Sequence, residues 1–391
     1  MKYIDEFRQK DAAQAILKKI HEISRRKANI MEICGTHTHT ISKYGIRNSL
    51  PPNIRLISGP GCPVCVTSAG DVNRVIEFSK REQNVIIATF GDMMRVPGTE
   101  SSLQEQKAAG RDIRVVYSPL GAIDIAIARP EKEVILFAVG FETTVPTVAA
   151  TILMARDKGI KNFSAFALHK LTPPAMKAIL DLGELNLHGF ICPGHVTAII
   201  GANAYRFIAE DYRAPCVVAG FEPLDAIYGL YMLIKQLEEG RNDIEIQYKR
   251  VVTWDGNAKA QRIVKQVFEI CDSSWRGIGT IPMSGLRLKE EFADFDAEKK
   301  YTIEETGGEE PTWDASNLQF DGEYLKSKIR NQGSEIQRGC ACGEVLRGLL
   351  TPNQCPLFGK ICSPETPVGP CMVSFEGTCA AYYKYELLQS T

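Results

Sequence analysis

The 391-residue sequence carries almost no net charge: 46 Lys and Arg stand against 47 Asp and Glu, a balance of −1. A polyanion-binding footprint is therefore not expected, and nucleic acid is not an expected partner. Long hydrophobic runs are also missing. No window approaches the ~18 uninterrupted apolar residues that a membrane span needs, so no membrane association is expected. The opening MKYIDEFRQKDAAQ mixes both charge signs and has no apolar core. Neither a secretory signal nor a transit peptide is read there, and a cytoplasmic location is expected. GxxxxGK[ST] and GxGxxG motifs are absent, which leaves a standard nucleotide site unsupported. Cysteine, in contrast, is abundant. Twelve occur in a chain expected to stay in a reducing compartment, where structural disulfides are rare, so metal or redox use is the leading reading.

Residues Asp5 to Ser24 place Phe7, Ile16, Ile20 and Ile23 on a helical period, which predicts an amphipathic opening helix over 1–28 that packs with the C-terminal region. From Ile30 to about Ala260, nine compact apolar runs alternate with helix-like stretches: IMEIC, IRLIS, NVIIATF, IRVVY, EVILFAV, FSAFAL, HGFIC, PCVVAGF and KRVVTW. Such runs predict buried parallel strands, hence an α/β fold of doubly wound sheets. GPGC at 59–62 echoes CPGH at 192–195, VIIATFG at 85–91 echoes CVVAGFE at 216–222, and His37 stands to the first pair as His169 does to the second. Two similar α/β domains, 29–127 and 128–262, are therefore expected. After residue 263 the text turns acidic, then rich in Gly, Pro and Cys, and 263–391 is expected to be a third, irregular, helix-containing domain. Ligands of open α/β sheets gather at the carboxyl ends of strands, where the distinctive motifs fall.

Six cysteines lie in the last 52 residues: Cys340, Cys342, Cys355, Cys362, Cys371 and Cys379. Four of them, Cys342, Cys355, Cys362 and Cys379, are separated by twelve, six and sixteen residues in a loop-rich context, as an iron–sulfur cubane requires. Zinc is the competitor, but paired CxxC knuckles are absent, and the spacing favours [4Fe-4S] with Cys340 and Cys371 in reserve. Cys62 and Cys65 in GPGCPVC follow a strand and open a helix, a setting that lowers a thiol pKa and suits an exposed redox dithiol. Half a zinc site or inert packing are the other readings of that pair. Cys34 in MEICGTHTHT ends a strand, with His37 three residues on. A thiolate and an imidazole can bind a borderline metal such as iron, His37 can act on the thiol as a base, or the pair can serve only the strand end. Glu142, Thr143, Thr144 and His195 are polar strand-end residues suited to orienting a small anionic ligand or a partner thiolate, although capping explains the threonines equally well.

Together, CGTHTH at 34–39, GPGCPVC at 59–65, GFETT at 140–144, PGHV at 193–196 and the ending CMVSFEGTCAAYY resemble the HypD family of hydrogenase maturation factors, over essentially the full chain. Phe375 departs from the Ser expected in the family's VSSEG. The resemblance implies a scaffold for building the Fe(CN)2CO moiety of [NiFe]-hydrogenase, in company with the small chaperone HypC and with HypE, which supplies cyanide. It implies that Cys342, Cys355, Cys362 and Cys379 hold a [4Fe-4S] cluster and that Cys62 and Cys65 are the redox pair fed by it. It also implies that Cys34 holds a transient mononuclear iron together with the N-terminal cysteine of HypC. A free-standing iron–sulfur thiol-disulfide oxidoreductase is the alternative, and Cys34 with His37 is the feature such an enzyme would not need.

Overall fold

The computed structural model describes residues 8–82, 84–301 and 339–387. Eleven strands occur among them: β1 (Ala28–Glu32), β2 (Ile54–Ser58), β3 (Val85–Thr89), β4 (Ile113–Val115), β5 (Glu133–Gly140), β6 (Phe163–Lys170), β7 (Gly189–Pro193), β8 (Cys216–Ala219), β9 (Ile244–Ile246), β10 (Phe268–Trp275) and β11 (Gly279–Leu288). Eight of the nine apolar runs are strands, β1 to β8. The ninth, KRVVTW, is a turn in which Val252 is buried as a plug, and the neighbouring strand is the short β9.

The strands divide between two compact units, and the chain passes between them more than once. Described residues within 8–66, 172–262 and 339–387 make the first, and those within 67–171 and 263–301 the second. This differs from the expected contiguous domains 29–127, 128–262 and 263–391. Hydrogen bonding decides the difference: β1 and β2 pair with β7 and β8, not with β3 and β4. GPGC and CPGH consequently sit on one sheet, so their likeness is that of neighbouring strand ends within a single domain and not of two repeated copies.

The first unit carries a five-stranded parallel sheet in the order β2-β1-β7-β8-β9, with Ala28 beside Ile54, Ile30 beside Gly189 and Phe190 beside Cys216. Both faces are covered, which is why its strands read as nearly unbroken apolar runs. Ile30, Leu56, Ile191 and Val217 face one core layer, and Met31, Ile57, Phe190 and Val218 face the other. Helix α1 (Lys10–Ile23) buries Ile20 in the first layer and packs chiefly on the helix Pro223–Glu239. Glu238 of that helix accepts both Arg25 N and Arg26 N at 2.8 Å where α1 ends. The Phe7 part of the predicted helix lies outside the described residues.

The second unit carries a six-stranded sheet in the order β10-β11-β6-β5-β3-β4. Its β3, β4, β5 and β6 are parallel, while the hairpin β10–β11 joins antiparallel to β6. Residues 268–288, expected to be irregular, form that hairpin; FEICDSSW and GTIPMSGLRL lack the compact apolar signature by which the other strands are read. His169, next to last in β6, is 1% exposed with neither ring nitrogen hydrogen-bonded among the described residues, and burial, then the Lys170 charge, lowers its pKa to about 3.

The unfolded chain therefore takes up a proton at this ring below its ordinary pKa of 6.5, and the folded unit does not until near 3. The contribution to stability is present above 6.5 and is lost as pH falls through that window. His169→Phe is expected to move the acid-induced opening of β5 and β6, read by hydrogen exchange against pH, to lower pH. An unchanged acid midpoint would contradict this.

Candidate functional site

Because β2, β1, β7 and β8 are parallel neighbours, their carboxyl ends bring four sequence-distant segments to one sheet edge. These are Cys34 after β1, the loop Gly59–Cys65 after β2, His195 after β7, and Gly220–Phe221 after β8. Cys34 is the N-cap of helix α2 (Gly35–Lys43), in extended conformation, and its backbone N donates to Glu32 Oε2 at 3.0 Å. Gly35 N donates to Gly61 O at 2.9 Å. The two backbones are so close that a methyl on Gly61 would collide with N and Cα of Cys34. Only glycine allows this contact, so GPGC is written by the approach of its loop to Cys34 as much as by its own turn.

The Cys34 thiol is pushed up to about 12, first by burial and then by the Glu376 carboxylate, against the pull of the His37 and Thr36 backbone N–H groups. In this state it is a protonated thiol. Glu32, fully buried at the end of β1 two residues earlier, has a raised pKa through desolvation, only partly offset by Ser58, Thr38 and the Cys34 amide. His37 is wholly buried. Its ring stacks on Phe221 at 4.7 Å, and Nε2 lies 2.9 Å from Gly220 O. Burial drives its pKa down to about 4 despite the Gly220 and Ala219 carbonyls, so the ring is neutral. His195 covers the same Phe221 ring at 3.9 Å with its outer face in solvent, and desolvation lowers its pKa.

Cys62 and Cys65 are joined as a disulfide, with Cα atoms 5.3 Å apart. At 3% and 0% exposure they are core residues, which corrects the expectation of an exposed loop. The short helix Pro63–Val66 starts directly after Cys62 and includes Cys65, whose Sγ lies 3.8 Å from the O of Pro370, the residue before Cys371. The redox-capable loop thus touches both Cys34 and the cysteine-rich C-terminal segment.

That segment folds into a cage. Cys340, Cys342, Cys355, Cys362, Cys371 and Cys379, with Val345, Phe358 and Met372, line one small pocket. All four cysteines expected as ligands are present, and so are both reserves. Cys342 Sγ and Cys371 Sγ stand 2.9 Å apart, and hydrogen bonding with the Cys342 thiol, ahead of burial, raises the pKa of Cys340 and Cys371. Backbone N–H groups already point at two sulfurs: Ala341 N to Cys355 at 3.5 Å and Val368 N to Cys362 at 3.4 Å. Hydrogen bonds to sulfur inside an apolar wall are how iron–sulfur ligands are tuned, so this donor set fits a cubane. Among the described residues no three His, Cys, Asp or Glu groups converge on a single-ion position.

The same segment clasps α2. Thr36 Oγ1 donates to Glu376 at 2.8 Å, Ser42 Oγ to Glu386 at 2.8 Å, and His39 Nε2 meets Tyr385 OH at 2.9 Å. The model of the HypD family, described as a hydrogenase formation hypA family, matches residues 11–386. The chain belongs to the HypD family. Hydrogenase maturation factor HypD2 of Bradyrhizobium diazoefficiens is 44% identical over 395 residues, covering 98% of this chain and 97% of the relative. HypD of Azotobacter vinelandii is 44% identical over 394 residues, at 98% and 97% coverage. HypD of Escherichia coli is 39% identical over 398 residues, spanning all of both chains.

The HypD motifs do not all fall in one unit. Cys34, His37, Cys62, Cys65, His195 and the cage belong to the first, whereas Glu142, Thr143 and Thr144 join β5 to the helix Val145–Asp157 in the second. There Thr144 Oγ1 donates to Phe141 O at 3.0 Å and its side chain fills the space that Gly140 leaves open, a turn-forming duty. Sequence reasoning missed the Gly220–Phe221 turn and Glu376. The turn was visible as the CVVAGFE echo, while Glu376 gives no local signal because its partner Thr36 is 340 positions away.

Proposed function

We propose that this chain is a hydrogenase maturation factor that holds iron at Cys34 while the cyanide and carbon monoxide ligands of the Fe(CN)2CO moiety are attached. HypC and HypE are its partners. The observation that carries this reading is the contact of Gly61 with Cys34: a partly exposed thiol at the sheet edge, outside both the disulfide and the cage, lies against the redox loop. Iron is the cargo here, and a thiolate is a strong-field-compatible ligand for it. Binding requires Cys34 to lose its proton, which the N-terminal N–H groups of α2 favour and burial opposes, so the incoming cation supplies the missing charge.

Cys62 and Cys65 provide two electrons as a dithiol, releasing two protons as the disulfide closes; taking up two electrons and two protons restores them. Cage cysteines, Cys342, Cys355, Cys362 and Cys379 foremost, would hold a [4Fe-4S] cluster, which when bound supplies one-electron redox capacity. Burial of both disulfide sulfurs speaks against a free-standing oxidoreductase, whose substrate disulfide must reach an accessible thiolate. The test is complementation. Produced with its cognate HypC and HypE in a bacterium lacking its own HypD, the chain is expected to restore [NiFe]-hydrogenase activity, and no activity from well-folded, co-produced proteins would sink the reading.

A further inference from the structure

The turn Gly220–Phe221 receives two side chains of α2. His37 Nε2 donates to Gly220 O at 2.9 Å, and Thr40 Oγ1 donates to Phe221 O at 2.8 Å. A carbonyl oxygen only accepts, so the proton of the neutral ring sits on Nε2 and Nδ1 is a bare lone pair. Nδ1 is buried and has no hydrogen-bond partner among the described residues. The tautomer of His37 therefore depends on where the Gly220 carbonyl points.

Three further side chains fix that carbonyl. Gly220 N donates to Gln247 Oε1 at 2.9 Å, and Gln247 Nε2 donates to Asp225 Oδ1 at 2.8 Å. Asp225, at 0% exposure, also receives Arg250 through both guanidinium NH2 groups, and Arg250 lies 4.3 Å over the Tyr248 ring. A Cβ on Gly220 would strike Asp225 Oδ2 and the Tyr248 ring, so the turn is held against this network at contact distance. Asp225 does cap the helix Pro223–Glu239 jointly with Glu222, but capping an N-terminus needs neither a two-point guanidinium pair nor an amide reaching back to the turn. A paired buried charge with every oxygen engaged marks a geometry being held.

We propose that Asp225 and Gln247 are positioning residues that lock the Gly220 carbonyl and so keep His37 in its Nε2-protonated form, leaving Nδ1 as an acceptor three residues beyond Cys34. The inference rests on the reading that Cys34 and His37 form the iron-handling end of the site. Outer-shell partners of this kind orient an imidazole and select its tautomer.

Nitrogen-15 histidine spectra of the full chain, without iron or partners, test it. Wild type is expected to show His37 as a single Nε2-protonated neutral ring. In Gln247→Met, which keeps side-chain length and removes both polar atoms, the ring is expected to become a mixture of tautomers, with maturation reduced ~10–100-fold. Asp225→Asn, which keeps shape and drops the charge that binds Arg250, is expected to show the same mixture to a smaller extent and decides the matter if Gln247→Met does not fold. A single Nε2-protonated ring in the variants overturns the proposal, even if maturation falls. Failure of the underlying reading would show separately, as maturation that survives Cys34→Ser.

Discussion

Cys34→Ser is expected to abolish hydrogenase maturation while leaving the first unit folded and the cage intact. The side chain changes by one atom at an N-cap position, where serine is a preferred residue, so α2 keeps its start and Glu32, Thr38 and Gly61 keep their backbone partners. What is lost is the ligand. A hydroxyl stays protonated near neutral pH and is a far poorer donor to iron than a thiolate; of the other cysteines of this sheet and its end loops among the described residues, Cys62 and Cys65 are bonded to each other and Cys192 and Cys216 are buried. Hydrogenase activity in a strain dependent on the variant, measured beside its thermal unfolding, checks both halves. Full maturation by the variant would remove Cys34 from the mechanism.

Cys355→Ala and Cys362→Ala are expected to lose nearly all cluster iron and sulfide and to loosen residues 339–387. These two sulfurs receive backbone N–H groups and have no neighbouring thiol at the distance that joins Cys342 and Cys371. Cys340→Ala and Cys371→Ala are expected to matter less, because four ligands complete a cubane and Cys342 and Cys379 remain. The segment is built of one-turn helices and tight turns around the cage, so its order depends on what the cage holds. Iron and acid-labile sulfide analysis of the anaerobically purified variants, with hydrogen exchange of the segment, measures this. A full cluster in Cys355→Ala would show that its ligand assignment is wrong.

The sheet strands were legible in the sequence because burial on both faces writes them as unbroken apolar runs, as in EVILFAVG and IRLIS. Their allocation to two units was not. Strand order depends on which edges pair, and β1 pairs with β7, about 160 residues away, through backbone groups that any sequence carries. The partly polar hairpin β10–β11 was hidden for a different reason: FEICDSSW and GTIPMSGLRL mix polar and small residues with apolar ones, without the density of Val and Ile that marks the other strands. Site chemistry was easier to read. Cys34, Cys62 and Cys65 stand out by spacing and by the glycines that let their backbones touch, and the C-terminal cysteines by their number alone. Their electrostatic state was not legible, because burial and a carboxylate 342 positions distant set the Cys34 thiol, and closure of Cys62–Cys65 in the core reverses the expected exposure.

The central claim, that Cys34 holds iron while its diatomic ligands are attached, is tested most directly by infrared spectroscopy of the anaerobically purified complex of this chain with HypC, from cells producing HypE. Bands of iron-bound cyanide and carbon monoxide are expected on the wild-type complex and are expected to be missing from the complex containing Cys34→Ser. Bands of undiminished intensity on the Cys34→Ser complex would contradict the account.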